Sequence, residues 1–413
     1  MQILVIGYVW PEPNSSAAGS RMMQLLHSFH QQNWPITFAS PAQLSDHMAD
    51  LSEYNINVTQ IELNNDSFDR FIDDLQPNIV IFDRFMMEEQ FAWRVEKCCP
   101  DALRVLNTED LHSLRHGRHQ AVKTERPFQL KDMYSDLGVR EIAAIHRSDL
   151  TLMISEYETQ LLKDEFQVPE SHLMYLPFML EEAPQSTALP LFEERQHFVT
   201  IGNFRHAPNW DAVRQLKTHI WPKIRQALPT TELHIYGAYP PPKASQLHNP
   251  KQGFHIKGWA EDAKQVISQA RICLAPIRFG AGIKGKLVEA MQVGTPSITT
   301  KIGAEAMAGP WPWNGVITDD VDEFVAAAVS LYQDQASWQL MQNNGFSILN
   351  ARFQRNEWQN KLIQRLLRQV QLKDVLRDHH FWGKMLRHHS LKSTQYMSQW
   401  IALKNQQETS AEK

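Results

Sequence analysis

Cysteine is scarce: the 413 residues hold only Cys98, Cys99 and Cys273. Three thiols cannot build a disulfide framework over this length, and the pattern suits a reducing compartment. No C-x-x-C spacing occurs, which sets a structural zinc site aside. No apolar run approaches the roughly 20 residues that span a bilayer. The opening MQILVIGY has neither a basic n-region nor an h-region, so a cytosolic protein without a secretory signal is expected. Neither sign of charge dominates: 41 Lys+Arg against 46 Asp+Glu give −5, which argues against polyanion and nucleic-acid binding by the chain as a whole. What is present, 43% hydrophobic and 21% charged residues, is an ordinary globular composition, and the length exceeds one core. Two domains are expected.

Short apolar runs alternate with helical patterns in both halves. Strands are predicted at 2–7, 35–40, 57–62, 79–83, 103–107 and 150–154, then at 197–202, 232–236, 254–257, 272–277, 296–300 and 315–318. Helices fit the gaps: Met22, Leu25, Leu26 and Phe29 recur at helical spacing across 21–32. Asn209 is placed to cap a helix with the stripe Ala212, Val213, Leu216 and Ile220. Strands alternating with helices predict α/β architecture with two doubly wound, Rossmann-like domains facing a cleft. The domains are expected at 1–180 and 197–350, with 181–196 (EEAPQSTALPLFEERQ) as an aperiodic linker and hinge.

Residues 351–413 form a third region, a basic helical C-terminal extension. It holds 12 Lys+Arg against 5 Asp+Glu, which leaves −12 on residues 1–350. Leu362, Leu366, Leu367 and Val370 recur at helical spacing, so the stripe either packs on the domains or docks on a partner or, peripherally, on an anionic membrane at its inner face. His379, His380, His388 and His389 lack acidic or Cys companions that would make a metal site. Asp320-x-Asp322 precedes a helical run and reads as its N-cap.

The most informative stretch is ICLAPIRFGAGIKGKLVEAMQVGTPSITT, residues 272–300. A buried strand runs into Gly280-Ala281-Gly282-Ile283-Lys284-Gly285-Lys286, and a helix starting near Ile283 ends at Gly294. Glycines let a backbone approach a ligand, and a helix N-terminus offers free N–H groups with a partial positive charge. Lys284 and Lys286 add full charges, so Gly282 to Lys286 read as a seat for a phosphate or pyrophosphate. Glu289 then lies about 9 Å further along the helix, in reach of a ribose diol. In the usual doubly wound order the first and fourth strands are neighbours. The loop Gly202 to Asn209 therefore faces the same crevice, with Arg205 beside Lys284. The N-terminal loop 8–20 opens from the other side, where Gly19 and Arg21 begin a helix ready for an anionic or hydroxyl-rich acceptor.

Two short patterns compete for this loop. Gly280, Gly282 and Gly285 spell G-x-G-x-x-G with Glu305 about 20 residues on, the outline of a dinucleotide site, but after the fourth strand of its domain instead of the first. Gly280-x4-Gly285-Lys286 has P-loop spacing, but Leu287 stands where Mg²⁺ needs Ser or Thr.

In FVTIGNFRHAPNWDA, GWAEDAKQVISQARICLAPIRFG and GAGIKGKLVEAMQVGTPSITTKIGAEAM the chain resembles the retaining glycosyltransferases of the GT-B fold, family 4 (glycosyl transferases group 1). PEPNSSAAGSRM, LNTEDLHSLR and SDLTLMISEYE add to the resemblance, which covers roughly 1–350 and is most specific at 197–305. It implies transfer of a sugar from a nucleotide-diphosphate sugar, the second domain holding the nucleotide and the first presenting a glycan, lipid-linked or small-molecule acceptor. The nucleotide sugar is then a co-substrate, with no cofactor and no metal expected. The family's pair of glutamates, with seven residues between them, survives only as Glu289, since Ala281 holds the first place. Glu109 stands where the family carries a histidine. His112 lies one helical turn on, and His112 with Asp110 is assigned to the donor-sugar region, the alternative for Asp110 being a helix cap. The resemblance also implies same-face attack by the acceptor hydroxyl, with Lys284, Arg205 and the helix start stabilising the leaving diphosphate. Two other functions stay open: a nicotinamide-dependent oxidoreductase using the 280–285 glycines, and a nucleotide-sugar-binding protein that no longer transfers.

Overall fold

The computed structural model describes residues 1–184 and 189–411. Residues 185–188 of the expected linker lie outside the described residues, as do 412–413. Seven strands make the first sheet: β1 (Ile3–Ile6), β2 (Ile36–Ser40), β3 (Asn57–Gln60), β4 (Ile79–Asp83), β5 (Leu103–Asn107), β6 (Leu150–Met153) and β7 (Leu173–Tyr175). Six make the second: β8 (Gln196–Ile201), β9 (Leu233–Tyr236), β10 (Phe254–Gly258), β11 (Ala270–Ala275), β12 (Ser297–Thr299) and β13 (Gly315–Ile317). The orders are β3-β2-β1-β4-β5-β6-β7 and β10-β9-β8-β11-β12-β13.

Every pairing in both sheets is parallel, as in β1 with β4 and β8 with β11. A parallel sheet covered by helices on both faces needs strands that are apolar throughout. Ile3, Leu4, Val5 and Ile6 meet that demand, as do Ile79 to Phe82, all fully buried. Both domains therefore share one doubly wound order. Each places its switch point, β1 against β4 and β8 against β11, at the crevice outside the carboxyl ends of the strands.

The chain returns to the first domain where Leu180 N–H donates to Phe353 O and Arg355 N–H donates to Leu180 O, both at 2.7 Å. Helix Arg355–His379 then packs on the first sheet, with Leu362, Ile363 and Leu366 in one core with Ile3, Val5 and Leu103. Packing thus accounts for Leu362 and Leu366 of the basic stripe, whereas Leu367 is exposed. Asp149 anchors the end of this helix by accepting from Arg377 at 2.6–2.7 Å.

Three local expectations are corrected. β7, three residues long, was not anticipated. The first helix spans Ala17–His30 and is capped by Ser16, whose Oγ accepts from Gly19 N at 3.0 Å, so it starts four residues before Arg21. Asn209 is no cap: helix Ala207–Gln215 has His206 at that position, and Asn209 sits inside the first turn. Asp320 does cap its helix, accepting from Asp322 N and Glu323 N at 2.8 and 2.9 Å.

Candidate active site between the two domains

A cavity of about 400 Å³ lies between the domains, within the size range of small-molecule sites. From the first domain it takes Pro13 to Ala18, Arg84, Glu109, Asp110, His112 and Arg115. From the second it takes Gly202, Asn203, Arg205, His206, Asn209, Gly280 to Lys286 and Glu289. Of the residues singled out from sequence, Asp110, His112, Gly202, Arg205, Gly282 to Lys286 and Glu289 thus border one space. Gly19 and Arg21 do not.

Gly19 is buried in the first helix, where a Cβ would fall 2.4 Å from the Glu12 backbone. Its role is to let the 8–16 loop lie flat on the helix. Arg21 is fully buried and donates to Asn107, to Leu176 O at 3.0 Å and to Glu109 at 3.5 Å. Its guanidinium is engaged inside the domain and cannot meet an acceptor, which corrects the expectation for both residues.

The first-domain wall is set by buried carboxylates. Glu141, on helix Asp136–Arg147, accepts from the backbone N–H of His112 and Ser113 at 2.8 and 2.9 Å. It thereby satisfies the orphan donors at the start of helix His112–Lys123. Asp110 caps nothing and pairs instead with Arg115. Burial opposes its charge, but Arg115, His112 and His206 outweigh that and hold its carboxyl at about 2. The His112 ring has Nδ1 3.3 Å from Glu141 and 3.7 Å from Asp110. Glu109 behaves oppositely: burial pushes its carboxyl up to about 7 against the pull of Arg21. Glu109 and Arg84 both sit in the left-handed region, φ 62° and 72°, and such strain in non-glycine residues gathers at functional sites.

The second-domain wall is the loop after β11. Its helix begins at Gly285, with Lys284 at the N-cap position, two residues later than the sequence spacing suggests. Glu289 is therefore one turn in, about 6 Å along the axis. Lys286 Nζ donates to Asn209 Oδ1 at 2.8 Å, tying the loop after β8 to the loop after β11. Lys284 Nζ donates to Gly282 O at 2.8 Å. Burial lowers both lysines to about 8, countered by Glu305 and Glu158 at Lys284 and by Cys273 and Glu289 at Lys286. Burial also raises Glu289, with Lys264 and Lys286 opposing. Arg205 is exposed, and its guanidinium stacks 3.7 Å from the Tyr239 ring centre.

The glycines do something that spacing alone did not show. At Gly282, φ is 64° and a Cβ would come 2.9 Å from Asp110 Cβ; at Gly285 a Cβ would come 2.4 Å from Ala17 Cβ. Their close approach is to the other domain. Around them, Arg118 donates to Gly280 O at 2.8 Å and forks onto Glu305 at 2.7 and 2.8 Å. Glu158 accepts from Gly282 N and from Leu111 N. Sequence reasoning missed Arg118 and Glu158, and read Asn209 as a cap where it holds Lys286. The fork of Arg118 onto Glu305 leaves the oxidoreductase reading without its ribose ligand.

Residues 195–334 match the glycosyl transferases group 1 family model. No curated protein matches the chain. Among solved structures it is similar to sucrose-phosphate synthase from Thermosynechococcus elongatus, at 14% identity and TM-score 0.64 over 89% of this chain and 98% of that one. Anabaena HepE in complex with UDP and glucose is similar at 11% identity and TM-score 0.65, over 89% and 99%. WaaG, a glycosyltransferase involved in lipopolysaccharide biosynthesis, gives 11% and 0.60 over 87% and 98%. The second domain is thus a glycosyl transferases group 1 domain, and the chain has the GT-B glycosyltransferase fold.

Proposed function

We propose that this chain transfers a sugar from a nucleoside-diphosphate sugar to an acceptor hydroxyl with retention of configuration and without a metal ion. One observation carries the reading: Lys284, Lys286 and Glu289 border the same interdomain cavity as Asp110 and His112. Two ammonium groups at the start of a helix are suited to a diphosphate, and a carboxylate one turn on is suited to a ribose diol. The structurally similar HepE has been solved with UDP and glucose, in keeping with such a ligand here.

Departure of the nucleotide builds negative charge on its β-phosphate. Lys284, Lys286 and the backbone N–H groups of the helix start at Gly285 meet that charge. The acceptor hydroxyl, a glycan, lipid-linked or small-molecule one, enters from the first-domain side. It attacks the face the nucleotide leaves, and the departing phosphate oxygen takes its proton. Asp110, charged at any working pH, and His112 stand beside the sugar and orient its hydroxyls. Ala281 in place of a glutamate favours a second reading, donor binding without transfer.

A panel of nucleotide sugars, followed by nucleotide release and by NMR of the anomeric proton, tests the proposal. An axial donor giving an axial product supports retention. An inverted product overturns it, and saturable binding with neither transfer nor hydrolysis favours the second reading.

A further inference from the structure

The C-terminal helical run carries its apolar residues on the wrong side for folding. From Phe381 to Ala411 the chain is helical, with a π-turn at Arg387–Leu391. Its inner face is seated on the first domain by small and polar groups. Gly383 approaches His146 so closely that a Cβ would lie 2.4 Å from the His146 carbonyl. Ser390 accepts from Arg147 at 2.8 Å, Ser398 accepts from Arg94 at 3.2 Å, and Leu391 enters the first-domain core. The outer face instead shows Phe381, Trp382, Tyr396, Met397, Trp400 and Leu403, each more than half exposed. Tyr396, Trp400 and Leu403 follow at i, i+4 and i+7, one stripe of the helix. No fold requirement explains large aromatics there.

Charge identifies what covers this face. No Asp or Glu occurs from His379 to Gln407, while Lys384, Lys392 and Lys404 are interleaved with the aromatics and exposed. Arg387 turns inward, toward Glu96 and the Arg147 carbonyl. Residues 1–350 carry −12, so an anionic surface repels the body and attracts only this end. Protein interfaces deplete lysine at their cores, whereas surface-lying membrane helices combine Trp, Leu and Lys on one side. Among the described residues no helix is long and apolar enough to cross a membrane, so the run lies on the surface.

We propose that the outward face of residues 381–404 docks the protein on an anionic membrane. The proposal does not rest on the glycosyl-transfer reading and survives or fails apart from it. Flotation of the full chain with phosphatidylcholine vesicles, with and without phosphatidylglycerol, tests it. The chain should float only with the anionic vesicles and be released by high salt. Trp382→Ser with Trp400→Ser, and separately Lys384→Glu with Lys392→Glu, should each cut the bound fraction about tenfold or more. Melting temperature and nucleoside-diphosphate binding should stay unchanged, because these side chains pack on nothing in the core. Absence of flotation with anionic vesicles, or equal flotation of the variants, overturns the proposal. So does a solution dimer that the tryptophan pair of substitutions dissolves, since a second copy then owns the face.

Discussion

Strands β4 and β5 of the first domain and β8 and β11 of the second end on one cleft, but the loops that leave them differ in charge and in strain. The first domain brings Glu109 and Asp110, one carboxyl raised to about 7 and one lowered to about 2. It holds Glu109 and Arg84 at positive φ to do so. The second brings Lys284 and Lys286, both lowered to about 8, on a helix start with relaxed backbone apart from Gly282. One topology has thus been given two jobs. On the proposed function the cationic wall would seat the leaving diphosphate, and the acidic wall would orient hydroxyl groups.

Substitutions on the two walls should therefore separate. The largest effect is expected for Lys284→Ala, which removes a charge from the developing phosphate and should lower transfer rate about 100-fold or more. Asp110→Asn should lower kcat about tenfold while leaving nucleoside-diphosphate affinity within about twofold, as calorimetry beside steady-state kinetics would show. Equal losses of affinity from both walls would erase the distinction.

pH sharpens the comparison. A bound diphosphate raises the pKa of both lysines, so binding takes up protons once they are neutral in the free protein. Affinity should be flat between about pH 7 and 8, where the diphosphate is fully ionised, and fall above that, by up to about tenfold per unit for each lysine. A flat titration to pH 10 contradicts the assignment.

Gly282→Ala tests the seam between the walls. Its left-handed backbone and its approach to Asp110 predict a loss of about 1–3 kcal/mol, read as a lower denaturation midpoint. The smallest effect is expected for Arg205→Ala, about twofold or less on affinity, because that side chain is exposed and stacked on Tyr239.

Much of this was legible in sequence where it is local. The alternation of buried apolar runs with helices carries the doubly wound architecture of both domains, and residues 280–289 carry the charges and glycines of the second wall within one segment. β7 escaped because Leu173–Tyr175 is too short to show a period. The start of the first helix escaped because Ser16, Ala17 and Ala18 have no apolar rhythm, though Ser16 is a recognisable cap type. Arg118–Glu305 and Glu158–Gly282 escaped for a different reason. Their partners stand 187 and 124 residues apart, and no short-range pattern encodes a pairing across two domains. Asn209 was misread because its amide serves Lys286 and Asn203 instead of its own helix.

Isothermal titration of the nucleoside diphosphate that raises the melting temperature most, into the parent protein and into a Lys284→Ala/Lys286→Ala variant, tests the central claim most directly. Saturable binding by the parent, weakened about 100-fold in a variant with unchanged melting temperature, is the expected result. Equal affinity in the two proteins would contradict it.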